Sequence, residues 1–226
     1  MSQFTDELKR RELNNPDGLS RRLLDLIQSE GFGDKTLLDV GCGWGRLTLA
    51  LAPRARRLIG IDRDGSAIAR AWKFAEEAAI DNVEFKVADA ESIDYRGLGA
   101  FDMVVANLCM SDTIIGRSSR ALDAGHCLAF ACFHMDQWKE TEKISSFAYD
   151  PARLGEVLDA NDFRVEQMEV ERDVVEFISM DEAIWAIEGM KQKWQADGRW
   201  ATFMTYLKQG GRQLTRSHLI VKARKR

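Results

Sequence analysis

The stretch Thr36-Leu37-Leu38-Asp39-Val40-Gly41-Cys42-Gly43-Trp44-Gly45 leaves few folds open. Its first five residues are short and apolar and run into glycines, the form of a strand buried on both faces of a parallel sheet. The glycines that follow lack the Cβ atoms that would keep a ligand off the backbone, and they reach angles other residues avoid. Leu47, Leu49, Ala50 and Leu51 then carry a helix, and Leu58-Ile59-Gly60-Ile61-Asp62 reads as a second strand closing on an acid. Strand, glycine turn, helix and strand make a βαβ unit suited to an adenosyl group. Asp62 stands where a carboxylate accepts from both hydroxyls of a ribose.

A dinucleotide site usually shows G-x-G-x-x-G, whose third glycine lets helix and strand close beneath a pyrophosphate. Here that position is Arg46, and the glycines run G-x-G-x-G behind Asp39. The segment resembles motif I of the class I S-adenosylmethionine-dependent methyltransferases. The likeness continues in order. Val83 to Val87 reads as a third strand before Ala88-Asp89-Ala90-Glu91, Phe101 to Asn107 as a fourth, and Ser118 to Gly125 leads into a fifth ending at Phe133.

That resemblance implies an α/β, Rossmann-like fold. Its sheet has seven mostly parallel strands in the order 3-2-1-4-5-7-6, with an antiparallel last strand and helices on its faces. It also implies S-adenosylmethionine as cofactor. Asp62 would hold the ribose, with Arg63 beside it flanking the adenine. Asp89 would accept from the adenine amino group, with the Ala90 amide against the ring. Asp39, Gly41, Cys42 and Gly43 would surround the methionine portion, and Asn107 would end strand four facing the reacting methyl group.

At 226 residues the chain can bury one sizeable core, so the reading is a single methyltransferase domain over 1–226. Within it, 1–16 is a polar arm and 180–211 a helical lid before the last strand. Leu19, Leu23, Leu26 and Ile27 share a helical face, with Asn14, Asn15, Pro16 and Gly18 at its start. A helix is expected from Ser66 to Ala79, and one opened by Pro151 precedes an alternating strand from Phe163 to Val170. In 180–211, one stripe runs from Ile184 to Trp194 and a second from Trp200 to Leu207, divided by Asp197-Gly198. Such aromatic stripes suit core packing, a pocket wall or a dimer interface, and the sequence leaves the three open.

The formal charge of −4 argues against a broad grip on nucleic acid, which needs a basic face. Cys42, Cys109, Cys127 and Cys132 lack C-x-x-C spacing and read as reduced thiols, and scattered His126, His134 and His218 suggest no metal site. With a polar start and no apolar run of membrane length, the expectation is a cytoplasmic protein.

Methyl transfer from a sulfonium draws on alignment and desolvation, and an alcohol or ammonium acceptor also needs a base. His134, just past strand five, is the candidate, with Asp112 behind it. The residues after Asn107 are Leu108, Cys109 and Met110, so the N-P-P-Y type signature of some nucleic-acid methyltransferases is absent. The reading is therefore transfer to an O or N atom of a small molecule. The alternatives are a methyltransferase-fold regulatory or assembly partner, or an RNA-modifying enzyme whose partner supplies the basic surface.

Overall fold

The computed structural model describes residues 19–226. The arm 1–16 and the residues around Asn14 lie outside that range. The first described helix, α1 (Arg21–Gln28), is capped by Ser20, whose Oγ accepts from the Leu23 amide, and it buries Leu23, Leu26 and Ile27.

Among the described residues eight strands form one sheet: β1 (Thr36–Val40), β2 (Arg57–Asp62), β3 (Val83–Val87), β4 (Met103–Asn107), β5 (Cys127–His134), β6 (Ala148–Tyr149), β7 (Phe163–Glu176) and β8 (Gln213–Lys225). The order is β3-β2-β1-β4-β5-β8-β7, with β6 paired to β5. This is the expected order once the two-residue β6 is set aside. The count of seven becomes eight, because two residues of extended backbone carry no alternation to read.

β1 to β5 pair in parallel. β8 reverses: Gly125 and His126, at the start of β5, exchange hydrogen bonds with Lys225 at the end of β8. Trp138, past the end of β5, donates to Thr215 near the start of β8. The last strands are longer than the alternation suggested, since ladder pairing carries them beyond their apolar residues.

The helices between strands are α2 (Arg46–Leu51), α3 (Gly65–Glu77), α4 (Asp112–Ala121) and α5 (Pro151–Ala160). Asp64, Ser111 and Asp150 cap the last three through their side chains.

Contacts gather the described residues into two compact units, with the division falling inside β5, β7 and β8. The larger holds 19–132, 149–169 and 219–226. Its sheet buries a core on each face: Leu37 belongs to one and Leu38 and Val40 to the other, as strand alternation requires. Beside the amino ends of the parallel strands, Glu30 sits in a knot of charge. Arg224 donates to both its oxygens at 2.6 and 2.9 Å and to Glu166, and Lys222 pairs with Glu30 as well.

The smaller unit includes 133–148 and 170–218, a wider set than the 180–211 insertion read from sequence. Its helices are α6 (Met180–Ala186), α7 (Lys191–Asp197) and α8 (Arg199–Lys208). The first stripe is thus two helices, broken by a tight turn at Glu188–Met190 where Gly189 weakens the helix. Gly198 at φ 89 ends α7 and starts α8. Trp194 and Phe203 are fully buried and meet edge to face at 5.4 Å. Those two aromatics are core, while Trp185 stays 38% exposed.

Candidate functional site

Alternation along β1 places Asp39 on the face of Leu37, where α2 packs with Leu47 and Leu51. The side chain is buried, at 1% exposure, and its Oδ2 accepts from the Thr48 hydroxyl at 2.6 Å. Its Oδ1 is buried with no hydrogen-bond partner. Burial pushes the carboxyl up to about 7 against the hydrogen bonds from Thr48, and the Asp62 charge adds to the rise. A buried acceptor left unsatisfied is costly in a folded protein and points to a group that arrives from outside.

The turn after β1 is built from its own backbone. Cys42 N–H donates to Ile61 O and Gly45 N–H to Cys42 O, both at 2.9 Å. A Cβ on Gly41 would lie 2.2 Å from Cys109 Sγ, so no other residue fits. At Gly43, φ 52, a Cβ would meet nothing within 4 Å, which leaves that side open to a ligand. The Cys42 side chain turns into the core, and burial pushes its thiol far above the ordinary range, so it is no reactive group.

Asp62 completes the turn. Its Oδ2 accepts from Gly43 N–H at 2.8 Å and its Oδ1 from Asp64 N–H at 2.9 Å. Each carboxylate oxygen has room for a second donor, as vicinal hydroxyls would supply. Arg63 follows on the exposed side.

One strand over, Ala88 N–H donates to Asp62 O at 2.9 Å, which sets Asp89 and Ala90 beside the end of β2. Asp89 Oδ1 accepts from the Glu91 amide at 2.8 Å, and Ala90 O accepts from Tyr95 OH at 2.9 Å. α4 fastens this loop. Arg117 donates to Glu91 O and Ile93 O, both at 2.7 Å, and Ser111 Oγ to Glu91 Oε1 at 2.6 Å.

Asp39, Gly41, Cys42, Gly43 and Asn107 line one cavity of about 110 Å³, joined by Leu19, Trp44 and Arg46, which the sequence reading did not assign. Leu108, next to Asn107, is held at φ 60, a conformation costly for a bulky side chain, and its N–H donates to Ala131 O at 2.8 Å. An unspent acceptor, a carboxylate facing a glycine turn and an open backbone suit a ligand with an ammonium group and a ribose.

A family model described as a methyltransferase domain matches residues 32–195. The chain belongs to the class I S-adenosylmethionine-dependent methyltransferases. Its cofactor is S-adenosylmethionine. A protein of Bacillus halodurans C-125 superposes with a TM-score of 0.67 at 18% identity, over 91% of this chain and 99% of that one. The magnesium protoporphyrin IX methyltransferase of Synechocystis PCC 6803, solved with SAH bound, does so at 0.61 and 13%, over 96% and 83%. The 23S rRNA (uracil(1939)-C(5))-methyltransferase RlmD of Methylococcus capsulatus is 37% identical over 73 residues, 31% of this chain and 16% of that one. The chain thus aligns with only a small part of the curated relatives.

His134 of this methyltransferase belongs to the smaller unit and is 7% exposed. Its Nδ1 accepts from the Asp136 amide at 3.3 Å and lies 3.0 Å from Ser217 Oγ. A ring accepting at Nδ1 carries its neutral-state proton on Nε2, where it donates. Asp112, at the first turn of α4, accepts from Tyr149 OH at 2.5 Å and Arg153 at 3.0 Å. Burial and that hydrogen bond push the Tyr149 phenol up. Among the described residues no group of three or more His, Cys, Asp or Glu is placed to hold a metal ion, and no helix is long and apolar enough to cross a membrane.

Proposed function

We propose that this methyltransferase acts on an O or N atom of a small molecule. The observation that carries this reading is a mismatch of extents: the likeness to the rRNA enzyme is confined to 73 residues, while the chain carries a formal charge of −4. Binding to phosphates draws on clustered Lys and Arg, which an acidic chain must borrow from a partner.

The cofactor supplies an electrophilic methyl group on a sulfonium. Asp62 holds the ribose hydroxyls with the oxygens that already organise the turn. Asp89 and the Ala90 amide meet the adenine, and Arg63 flanks its face. Gly41 and Gly43 admit the methionine end, Cys42 shapes the turn through its backbone, Asp39 accepts the ammonium, and Asn107 closes the cavity from β4. An acceptor with a carboxylate or neutral amine needs no base from the protein. For an alcohol, His134 is the candidate: to take the proton at Nε2 the ring must first give up the hydrogen bond from the Asp136 amide and carry its own proton on Nδ1, toward Ser217 Oγ.

Methyl-labelled cofactor offered with a metabolite fraction and, separately, with total RNA at low and moderate salt tests the substrate class. Label is expected in the metabolite fraction. Label in RNA would favour the second reading, an RNA-modifying enzyme, which the names of the curated relatives suggest. Once the acceptor is known, turnover of His134→Ala at saturating acceptor across pH decides the base: an unchanged profile removes His134 from the chemistry.

A further inference from the structure

In the smaller unit, β8 carries a second histidine that the chemistry above leaves unused. Alternation puts His218 on the opposite face of the strand from Ser217, and so away from His134, which meets Ser217. His218 is 8% exposed, and neither of its ring nitrogens has a hydrogen-bond partner among the described residues. Neither nitrogen is sealed off, in contrast with His126 Nδ1. An imidazole held this deep without a hydrogen bond is costly, and such a group calls for an explanation.

Its surroundings are aromatic. The Phe133 ring lies 5.8 Å from both the His218 ring and the Trp138 ring, tilted by 52° and 43°. Phe133 and Trp138 are half-buried, so parts of both rings stay open. Phe133 stands one residue before the last of β5, at the carboxyl end of a parallel strand, the edge where open α/β sheets hold their ligands.

Burial and the charge of Arg216, which pairs with Asp173 at 3.8 Å, push His218 down to about 4. At neutral pH the ring therefore carries one N–H and one bare nitrogen, and the bare nitrogen accepts from a hydroxyl. In methylation of a hydroxyl, oxygen bonds to the methyl carbon, sulfur keeps the electron pair of the bond that breaks, and the proton on oxygen must leave. An aryl ether oxygen that still holds its proton is far more acidic than an imidazolium, so a weakly basic ring suffices once the new bond has formed.

We propose that the smaller unit takes an aromatic hydroxyl compound, its ring against Phe133 and Trp138 and its O–H donated to His218, which receives the proton as the methyl group arrives. This rests on the small-molecule reading proposed above and names its substrate class. It moves the base from His134 to a histidine with no hydrogen bond to give up.

The test is calorimetric titration of the protein, loaded with S-adenosylhomocysteine, with 2-naphthol and with 2-methoxynaphthalene, which has no hydroxyl. Wild type, His218→Phe and His218→Gln are compared. 2-Naphthol should bind wild type, bind His218→Phe about tenfold or more weakly, and bind His218→Gln in between. 2-Methoxynaphthalene should bind wild type and His218→Phe within about twofold of each other. Undiminished affinity for S-adenosylhomocysteine shows that each variant is folded. With methyl-labelled cofactor, wild type should label 2-naphthol, and His218→Phe should slow that turnover by about a hundredfold. Binding and turnover of 2-naphthol unchanged in His218→Phe overturn the role of His218. A wild type that labels aliphatic acceptors and neither binds nor labels 2-naphthol overturns the inference and spares the small-molecule reading. Label in RNA alone removes both.

Discussion

Glu30, half-buried beside the amino ends of the parallel strands, and Asp39, buried at the carboxyl end of β1, are both carboxylates, and the protein treats them in opposite ways. Glu30 is clamped by Arg224 and Lys222, and the Arg224 hydrogen bonds hold its carboxyl down at about 2. Asp39 receives one hydroxyl and is pushed up to about 7. The first acid is spent on the fold. The second is held at a cost to the fold, and such a cost persists where a ligand repays it.

The largest expected effect breaks the clamp. Glu30→Gln leaves Lys222 and Arg224 with Glu166 as their remaining acid and should lower stability by about 2 kcal/mol, read by urea unfolding at pH 7. Glu30 is lowered from 4.5, so its contribution is complete above about pH 4.5 and is lost as pH falls through 2. Acid unfolding of the variant should therefore lack that component. An unchanged midpoint would mean that the knot is decorative.

Asp39→Asn should do the reverse. Its carboxyl is raised from 3.8, so the folded protein holds a proton that the unfolded chain has released. The penalty grows as pH rises from about 4 to 7 and is complete above that. The variant should melt roughly 5 °C above wild type at pH 8, with the gap closing near pH 4. It should also bind S-adenosylmethionine roughly 30-fold more weakly, about 2 kcal/mol. A variant destabilised at pH 8 would place Asp39 with Glu30 as a structural acid.

The smallest effect concerns Arg117, which touches the loop after β3, proposed above to meet the adenine, through the Glu91 and Ile93 backbone carbonyls. Arg117→Ala should raise the dissociation constant for the cofactor by about threefold to tenfold, with Asp89→Asn costing less in that background than in wild type. Independent, additive losses would show that the loop holds its shape without α4.

What could be read from sequence was local. The span from Asp39 to Asp62 is one βαβ unit, so its glycines and acids are near neighbours in both chain and space. Arg46 and Trp44 stand in that same span and went unassigned, because spacing tells which residues are near a turn and not which way their side chains point. Arg117 reaches Glu91 across 26 positions, and Arg224 reaches Glu30 across 194. No periodicity reports such pairs. The environment of His134 was hidden for the same reason, since Ser217 lies 83 positions away.

β7 has a further consequence, for handling the protein. Among the described strands it has a neighbour on one side only, and its fourteen residues include exposed Val165, Val170 and Val174. An edge run of that length is a template for another chain. Arg164, Glu166, Glu169, Glu171, Arg172, Asp173 and Glu176 interrupt it, so a second copy would have to bring like charges together and dehydrate them. Solubility is then set by ionic conditions as much as by folding: acid or concentrated salt, which silences those charges, is where this chain should begin to form fibres or precipitate.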